Sequence, residues 1–274
     1  MNKLLREATF QREMEHIPMS IALYAGKPSG AARTEAEGWV LSYHAITNAA
    51  YERLSLRYTA GDPIEQLRRE LDGVLGAYEQ FAEADRAFHK DPQRPAFIFT
   101  SVDDYSRVMQ LIGLCCLLRR TDQLSRLAAL CDGFRGEDAV YEDLLAFALP
   151  AREDVDEWFW DDPYGDLVRA IHLESADEKL SALAAFLKRW YRSLSGTSWH
   201  DTHKSPTQAG YHGYWSFEAG AAVLLLGIED DSSLHSFRHY PKDLVAWAKG
   251  HATASGYATH RVCNVTIGTR MKLV

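Results

Sequence analysis

Apolar side chains recur along most of the chain at the spacing of an α-helix. One run steps by three or four residues between positions 39 and 58, and a second does so between positions 64 and 81. Each run predicts the buried face of a long amphipathic helix, because residues three and four apart lie on the same side of a helix. The two faces consist of Trp39, Tyr43, Ile46, Ala50, Leu54 and Tyr58, and of Ile64, Leu67, Leu71, Leu75, Tyr78 and Phe81.

Local signals predict where these two helices begin and end. Thr34 and Glu37 have the spacing of a capping box, in which a hydroxyl and a carboxylate bond N–H groups at the helix start. Gly61 is expected to end the first helix. Asp62 and Pro63 then begin the next, as a cap followed by a proline at the first helical position. Two long helices with so short a link form an antiparallel hairpin.

Two further segments are apolar on nearly every side and predict central, buried helices. They are residues 108–118, with Gln110 as the polar exception, and residues 214–227. Shorter helical patterns cover residues 121–131, 137–149, 180–191 and 243–250, another helix begins near Asp166, and residues 259–274 predict a strand or an irregular tail. We expect an all-α protein of two packed helical subdomains with a buried central helix in each. A boundary near Pro150 divides it into an N-terminal helical domain, residues 1–150, and a C-terminal helical domain, residues 151–274.

The composition is that of a protein with its own hydrophobic core. The chain has 274 residues, 46% of them hydrophobic, and a chain of this size needs no disulfide or metal to fold. Its four cysteines, at positions 115, 116, 131 and 263, form no CxxC pair and predict buried thiols in a reducing compartment. Residues 1–14 lack the apolar core of a secretory signal, and the longest apolar run, residues 219–228, is too short to span a bilayer. We expect a cytoplasmic protein with no membrane association.

The negative charge of the chain is concentrated in one segment. The formal net charge is −8, and residues 121–166 hold 13 acidic and 3 basic side chains. This segment would repel phosphates, so direct binding of nucleic acid is disfavoured. A partner protein with a basic surface is favoured instead.

Residues 153–166 are the part of this segment that best fits a protein-binding surface. Seven of these 14 residues are acidic and four are aromatic. A charge run is usually a solvated face, but Trp and Tyr are enriched where protein interfaces bind most strongly. Both interpretations stay open, because some of the rings must pack inward. The candidate contact residues are Glu153, Asp154, Asp156, Glu157, Trp158, Trp160, Asp161, Asp162, Tyr164 and Asp166.

A group of histidines and carboxylates could bind a divalent metal ion. It comprises His200, Asp201, His203, His212 and Glu218, which are residue types that ligate zinc. Their spacing matches no standard site, and the same groups could instead hydrogen-bond a loop to helix ends. A metal-dependent hydrolase that uses these residues is the alternative function.

Glu218 and the serine pair at positions 232 and 233 each have two interpretations. Glu218 lies within an apolar helix, so it must be hydrogen-bonded, paired or neutral. It is either a general base or a structural anchor that accepts from Trp199, Tyr240 or a backbone turn. Ser232 and Ser233 precede a short apolar run and predict a helix cap, whereas a catalytic serine would need a base within reach.

The sequence of residues 211–244 resembles that of a known family. It contains GYWSFEAGA, LGIEDDSSL and HYPKDL in this order, and LKRWY and SWHDTHK lie upstream. These motifs are similar to the C-terminal domain of the PoNi family of bacterial immunity proteins, with the likeness strongest over residues 185–245. The N-terminal hairpin is similar to the domain that usually precedes it.

The resemblance implies an all-helical, non-enzymatic inhibitor that has no cofactor or metal. PoNi proteins bind and neutralise PoNe-type DNase toxins, which bacteria deliver to one another, often by type VI secretion. The implied partner is a cognate DNase toxin with a basic surface, and a homodimer is compatible with the sequence. A helical scaffold without a toxin partner is a third hypothesis. The family's motif positions, as fold determinants or contacts, are Trp190, Tyr191, Trp199, Asp201, His203, Tyr214, Trp215, Glu218, Asp231, Ser232, Ser233, Tyr240, Pro241 and Asp243.

Overall fold

The computed structural model describes residues 4–251. These residues form α-helices and short 3-10 turns and contain no β-strand. The prediction of an all-α fold is therefore confirmed. The helices are α1 (Glu7–Gly26), α2 (Glu35–Ala60), α3 (Ile64–His89), α4 (Val102–Leu117), α5 (Leu124–Leu130), α6 (Ala139–Ala146), α7 (Asp161–His172), α8 (Ala176–Ser193), α9 (Phe217–Leu225) and α10 (Lys242–Gly250).

The helices pack as two compact units, neither of which is a continuous stretch of chain. The first unit contains the described residues up to Ala96, together with Ala129–Gly133 and Asp201–Gly213. The second contains Phe97–Ala128, Phe134–His200 and the described residues from Tyr214 onward. These packing units do not follow a cut near Pro150. The division into sequence domains 1–150 and 151–274 stays a prediction.

In the first unit, α2 packs against both α1 and α3. The turn between α2 and α3 forms as predicted at Gly61, whose φ of 93° is the left-handed conformation that glycine adopts without strain. Asp62 does not cap α3, because its carboxylate accepts a hydrogen bond from Arg57 Nε at 2.6 Å. At the other end of α2, the Thr34 hydroxyl accepts from the Glu37 N–H at 3.1 Å, which is the predicted cap.

Helix α1 has no counterpart among the predicted helices. It contains Pro18 in its interior, and only Thr9 and Ile17 are buried along its 20 residues, so its apolar pattern is weak. Its start is held from far along the chain by Gln208. The Gln208 Oε1 atom accepts from the Thr9 hydroxyl at 3.0 Å, and its Nε2 donates to the Leu4 carbonyl oxygen at 2.8 Å.

In the second unit, α4 packs against α9 and α7 packs against α8. All residues of α9 are buried, as are those of α4 from Tyr105 onward except Arg107. Both predicted central helices are buried, and both lie in this packing unit. Gly113 allows their close approach, since a Cβ atom there would lie 2.5 Å from the Phe217 carbonyl carbon.

Cys115, Cys116 and Cys131 are free and buried, as predicted. Burial raises the pKa of the Cys116 thiol to about 12, so this thiol is unreactive at neutral pH. Cys263 and the tail at residues 259–274 lie outside the described residues. No helix between residues 4 and 251 combines the length and the apolarity needed to cross a bilayer.

Candidate functional site

The acidic segment of residues 153–166 has little regular structure before α7, yet its backbone is held at several points. The Ala139 N–H donates to the Glu157 carbonyl oxygen at 2.8 Å, which joins the segment to the start of α6. The indole Nε1 of Trp160 donates to the Phe99 carbonyl oxygen at 2.8 Å. Because these bonds restrict the backbone, the segment presents its side chains in a defined arrangement.

Asp138 is the main anchor of this segment. Its buried carboxylate accepts the backbone N–H groups of Phe159 at 2.9 Å and Tyr141 at 2.8 Å. The Tyr105 hydroxyl donates to both carboxylate oxygens at 3.1 Å. Burial raises the pKa of Asp138 to about 6, although these donors act to lower it. Asp138 thus links α4, the start of α6 and the segment before α7.

A buried ion pair fixes the beginning of the same segment. Arg152 donates from Nε to Glu142 Oε2 at 2.6 Å and from Nη2 to Glu142 Oε1 at 2.7 Å. The Glu142 carboxylate also accepts the N–H groups of Gly136 at 2.8 Å and Glu153 at 3.2 Å. Several charge-assisted donors on one carboxylate offset the cost of burying it.

The aromatic candidates of the segment pack inward to different degrees. Tyr164 is fully buried, with its ring 4.9 Å from that of Tyr105, so its side chain is not exposed to a partner. Trp158 and Trp160 are half-buried. Within residues 4–251, the Trp158 Nε1 atom has no hydrogen-bond partner, whereas that of Trp160 is bonded as described above. The rings therefore help to hold the segment in place.

The acidic candidates separate into one buried residue and six that reach the surface. Asp166 is buried and pairs with Arg189 and with Arg169, whose Nη1 lies 3.2 Å from Asp166 Oδ1. Nearby cations are few: Arg135 Nε lies 3.7 Å from Glu153 Oε1, and Arg189 Nη1 lies 3.5 Å from Asp162 Oδ1. The six others, which we call the acidic face, are Glu153, Asp154, Asp156, Asp161 and Asp162, all exposed, and the half-buried Glu157.

A histidine and a carboxylate lie beside the acidic face. His172 Nε2 is 2.9 Å from Asp143 Oδ2, which joins α7 to α6. The hydrogen bond with Asp143 raises the pKa of His172, and the charge of Asp154 adds to this effect. Burial raises the pKa of Asp143, while its bond with His172 acts in the opposite direction.

Family-motif positions build an aromatic cluster at the end of α8. Trp190 stacks on Trp199 with ring centres 5.4 Å apart. Tyr191 lies between two imidazole rings, 4.2 Å from His200 and 5.0 Å from His239. Such stacking contributes beyond the area that it buries, so these rings take part in the packing of the second unit.

His239 completes this cluster, although the sequence analysis did not select it. Its Nδ1 atom lies 3.0 Å from the Tyr214 carbonyl oxygen, and its own carbonyl oxygen accepts the Ser216 N–H at 2.9 Å. Burial lowers the pKa of His239, so the ring is neutral at neutral pH. The bonds of His239 hold the residues that lead into α9.

Glu218 is a structural anchor in a setting that the sequence analysis did not foresee. Its side chain is fully buried, and Oε1 accepts from Trp190 Nε1 at 2.6 Å rather than from Trp199 or Tyr240. Its other oxygen, Oε2, has no hydrogen-bond partner within the described part of the chain. Burial raises the pKa of Glu218 to about 7.

Asp231 joins the turn after α9 to α10. Its carboxylate accepts from the Tyr240 hydroxyl at 2.6 Å, from Lys249 Nζ at 2.6 Å and from His235 Nε2 at 3.1 Å. Burial alone would raise the pKa of Asp231, but these bonds outweigh it and lower the pKa.

The serine pair follows Asp231 in a short 3-10 turn, Ser232–Leu234, and both serines are exposed. The Ser232 N–H donates to Asp230 Oδ1 at 2.9 Å. The helical turn forms as predicted, but its N-cap residue is Asp231, whose side chain makes no cap hydrogen bond. Of the other motif positions nearby, Trp215 is half-buried, Pro241 is buried, and Asp243 is exposed in the first turn of α10.

The candidate metal ligands of the alternative hydrolase form contacts with other residues of the chain. Asp201 Oδ2 accepts from Lys204 Nζ at 2.7 Å, His212 Nδ1 lies 3.0 Å from the Gly210 carbonyl oxygen, and the His203 ring is 6.1 Å from that of Tyr211. Across residues 4–251, no three His, Cys, Asp or Glu side chains are grouped so that they could hold a metal ion. The five residues are not brought together as a metal site.

Sequence reasoning missed four polar residues that shape the second unit: Asp138, Glu142, Arg152 and His239. Asp138 precedes a short apolar stretch and could have been identified as a helix cap, which it is, through the Tyr141 N–H. Glu142 and Arg152 carry no comparable local signal, because they lie ten residues apart and meet only where the chain folds back after α6.

Comparison with known proteins extends this description. A solved structure, that of protein PA2201 from Pseudomonas aeruginosa, is similar to this chain with a TM-score of 0.70 and 22% identity. The similarity covers 90% of this chain and 89% of that one, and it supports the fold. No curated protein matches significantly. Residues 136–244 match the family model described as "PoNe immunity proteins (PoNi), C-terminal", which confirms that this part of the chain is similar to that family.

Proposed function

We propose that this protein is an immunity protein that neutralises a PoNe-type DNase toxin by covering its DNA-binding groove with the acidic face. The proposal is supported by the match of residues 136–244 to the PoNi family. It acts without catalysis and in the cytoplasm, where an incoming DNase would reach the chromosome.

The acidic face is the observation that carries the proposed mode of binding. A nuclease presents a cationic groove to its substrate, because phosphates dominate the binding of DNA. Six acidic side chains lie on one segment, and among them Glu153 pairs with Arg135 and Asp162 with Arg189. This excess of negative charge is complementary to such a groove. Complementary charge accelerates association and competes with DNA.

The anchoring of the acidic face makes it suited to tight binding. Asp138 and the pair of Arg152 with Glu142 hold its backbone from beneath. A surface that is ordered before binding loses less conformational entropy on association. Tyr164 is buried, so the aromatic contacts with the toxin would come from the exposed edges of Trp158 and Trp160.

Charge reversal tests this proposal with a matched control. Asp154→Lys combined with Asp156→Lys changes two exposed residues of the acidic face, and Glu15→Lys combined with Glu83→Lys changes two exposed helix positions of the first unit by the same net charge. Binding to a PoNe-type DNase is measured by surface plasmon resonance at low and high salt. We expect the first variant alone to lose about tenfold in association rate at low salt. Equal affinity and salt dependence in both variants would exclude the acidic face as the interface.

A second measurement distinguishes occlusion from remote inhibition. The nuclease is kept from cutting by withholding its divalent metal, and its binding to labelled DNA is followed by anisotropy as this protein is added. If the acidic face covers the groove, we expect DNA and this protein to compete for the nuclease. A ternary complex of nuclease, DNA and this protein would contradict occlusion.

A further inference from the structure

Glu218 occupies a position in which a charged carboxylate has little support. It lies in the first turn of α9 and is 0% exposed. One hydrogen bond, from Trp190 Nε1 at 2.6 Å, reaches its Oε1 atom. Across residues 4–251, no Lys, Arg or His forms an ion pair with it, and its Oε2 atom has no hydrogen-bond partner. A buried carboxylate with this little compensation is costly in the charged form.

The groups around Glu218 are neutral or acidic rather than basic. Burial raises the pKa of Tyr105 on α4, and the charges of Asp138 and Glu218 add to this rise. From α8 comes Trp190, whose ring is 5.4 Å from that of His239. Burial lowers the pKa of His239, so this ring supplies no positive charge at neutral pH.

The serine before α9 adds a second buried polar atom. Ser216 is fully buried. Within the described residues its hydroxyl oxygen has no hydrogen-bond partner, as is also true of Glu218 Oε2. Burial raises the pKa of Glu218, and the nearby Ser216 hydroxyl acts in the opposite direction without outweighing it. A protonated carboxyl group can donate to this hydroxyl, whereas a carboxylate can only accept.

We propose that Glu218 is held in the folded protein as a neutral carboxylic acid that locks α9 to α8, and that loss of its proton loosens the packing there. In the neutral form Oε1 accepts from Trp190 and the protonated oxygen is free to donate to Ser216. In the charged form a buried anion accepts from Trp190, with no cation paired to it within the described residues. The lock is therefore proton-dependent, and it is independent of any partner protein.

Asp138 provides a natural contrast within the same unit. It is equally buried, but its oxygens accept from two backbone N–H groups and from the Tyr105 hydroxyl. A carboxylate at Asp138 can accept from all of these donors. An asparagine amide would instead place its own N–H group against one of them. Glu218→Gln should therefore keep the fold, while Asp138→Asn should weaken it.

The experiment follows the glutamate side chains directly. Protein labelled with ¹³C at Glu Cδ is titrated by NMR, so that aspartates do not interfere. We expect one glutamate resonance, absent from Glu218→Gln, to titrate near the value of about 7, well above the ordinary value of about 4.3. A wild-type protein in which every glutamate titrates below about 5.5 overturns the proposal. This titration is decisive even if a variant fails to fold.

Equilibrium unfolding in urea supplies a second readout. Between pH 8 and pH 6 we expect the unfolding equilibrium constant of the wild type to fall by about tenfold through Glu218, because the folded state alone takes up the proton. In Glu218→Gln this part of the pH dependence should be absent, with the Trp190 fluorescence unchanged across the same range. A wild-type pH dependence that persists in full in Glu218→Gln contradicts the lock.

Discussion

The Arg152 guanidinium forms two hydrogen bonds to the Glu142 carboxylate, at 2.6 and 2.7 Å, and the two side chains are 5% and 0% exposed. The pair lies where the chain leaves α6 and turns toward the acidic face. Because both side chains are shielded from water, each charge is stabilised mainly by the other.

Removal of Arg152 is expected to destabilise the fold strongly. Arg152→Met leaves the Glu142 charge buried and unpaired, which costs about 3–5 kcal/mol. The control is Arg135→Met, because Arg135 pairs with Glu153 at 3.7 Å near the surface and such pairs contribute less than about 1 kcal/mol. Urea unfolding at pH 7 measures both. Similar losses in the two variants would show that burial of Glu142 is not the source of the effect.

The close approach of α4 and α9 predicts a steric effect at Gly113. A Cβ atom there would lie 2.5 Å from the Phe217 carbonyl carbon and 2.6 Å from the Glu218 N atom. Gly113→Ala should therefore destabilise by at least about 1–3 kcal/mol, because the backbones must separate. Gly73→Ala is the control, since a Cβ atom on that exposed face of α3 meets nothing within 4 Å, and it should stabilise by about 0.5–1 kcal/mol. Thermal or urea unfolding that ranks the two variants in the reverse order contradicts the packing.

Asp231 predicts a loss of stability at acidic pH. Its pKa is lowered in the folded state, so its contribution is present above the unfolded value and is lost as the pH falls through the folded one. Asp231→Asn should cost about 1–3 kcal/mol at pH 7, and the difference from wild type should shrink below about pH 4. Glu229→Gln, an exposed neighbouring change, should unfold like the wild type. A constant difference from pH 7 to pH 3 would argue against ionisation of Asp231 as the cause.

The two tryptophans of the acidic segment predict different effects on toxin binding. Trp160→Phe removes the hydrogen bond from Nε1 to the Phe99 carbonyl oxygen and should cost about 1 kcal/mol in stability. If the acidic face must be ordered before it binds, affinity for the nuclease falls several-fold while its salt dependence is unchanged, because no charge is lost. In Trp158→Phe, whose Nε1 has no hydrogen-bond partner within the described residues, affinity should stay closer to that of the wild type. Calorimetry at two salt concentrations measures both, and a greater loss for Trp158→Phe would oppose this role of Trp160.

The helical elements were largely predictable, since their signals are local. The face with Leu67, Leu71 and Leu75 is buried as its spacing predicts, and Gly61 ends α2. The polar interior was not predictable to the same degree. Glu218 accepts from Trp190, 28 residues away, and Asp138 from Phe159, 21 residues away. Such partners become neighbours only after the helices pack.

The sequence predicted which residues make up the candidate surface, but not which of their side chains are buried and which are exposed. Residues 153–166 were selected for their charge and rings, yet Tyr164 and Asp166 are buried while Asp161 and Asp162 are exposed. Asp161 and Asp162 are the first two residues of α7 and are exposed, whereas residues 163–168 are all buried. Which of these residues are covered depends on the helices that pack around α7.

The sequence by itself determined most of the helices, the cap at Thr34 and the similarity of residues 136–244 to a known family, because periodicity, capping and motifs are properties of residues close together in the chain. Only the tertiary structure decided that α4 and α9 share one unit, that Asp138, Glu142 and Glu218 are buried, and which carboxylates remain at the surface. The physical reason is that burial and hydrogen-bond partners depend on which helix faces meet. That choice is made by the packing of the whole unit, through contacts such as that of Gly113 with Phe217.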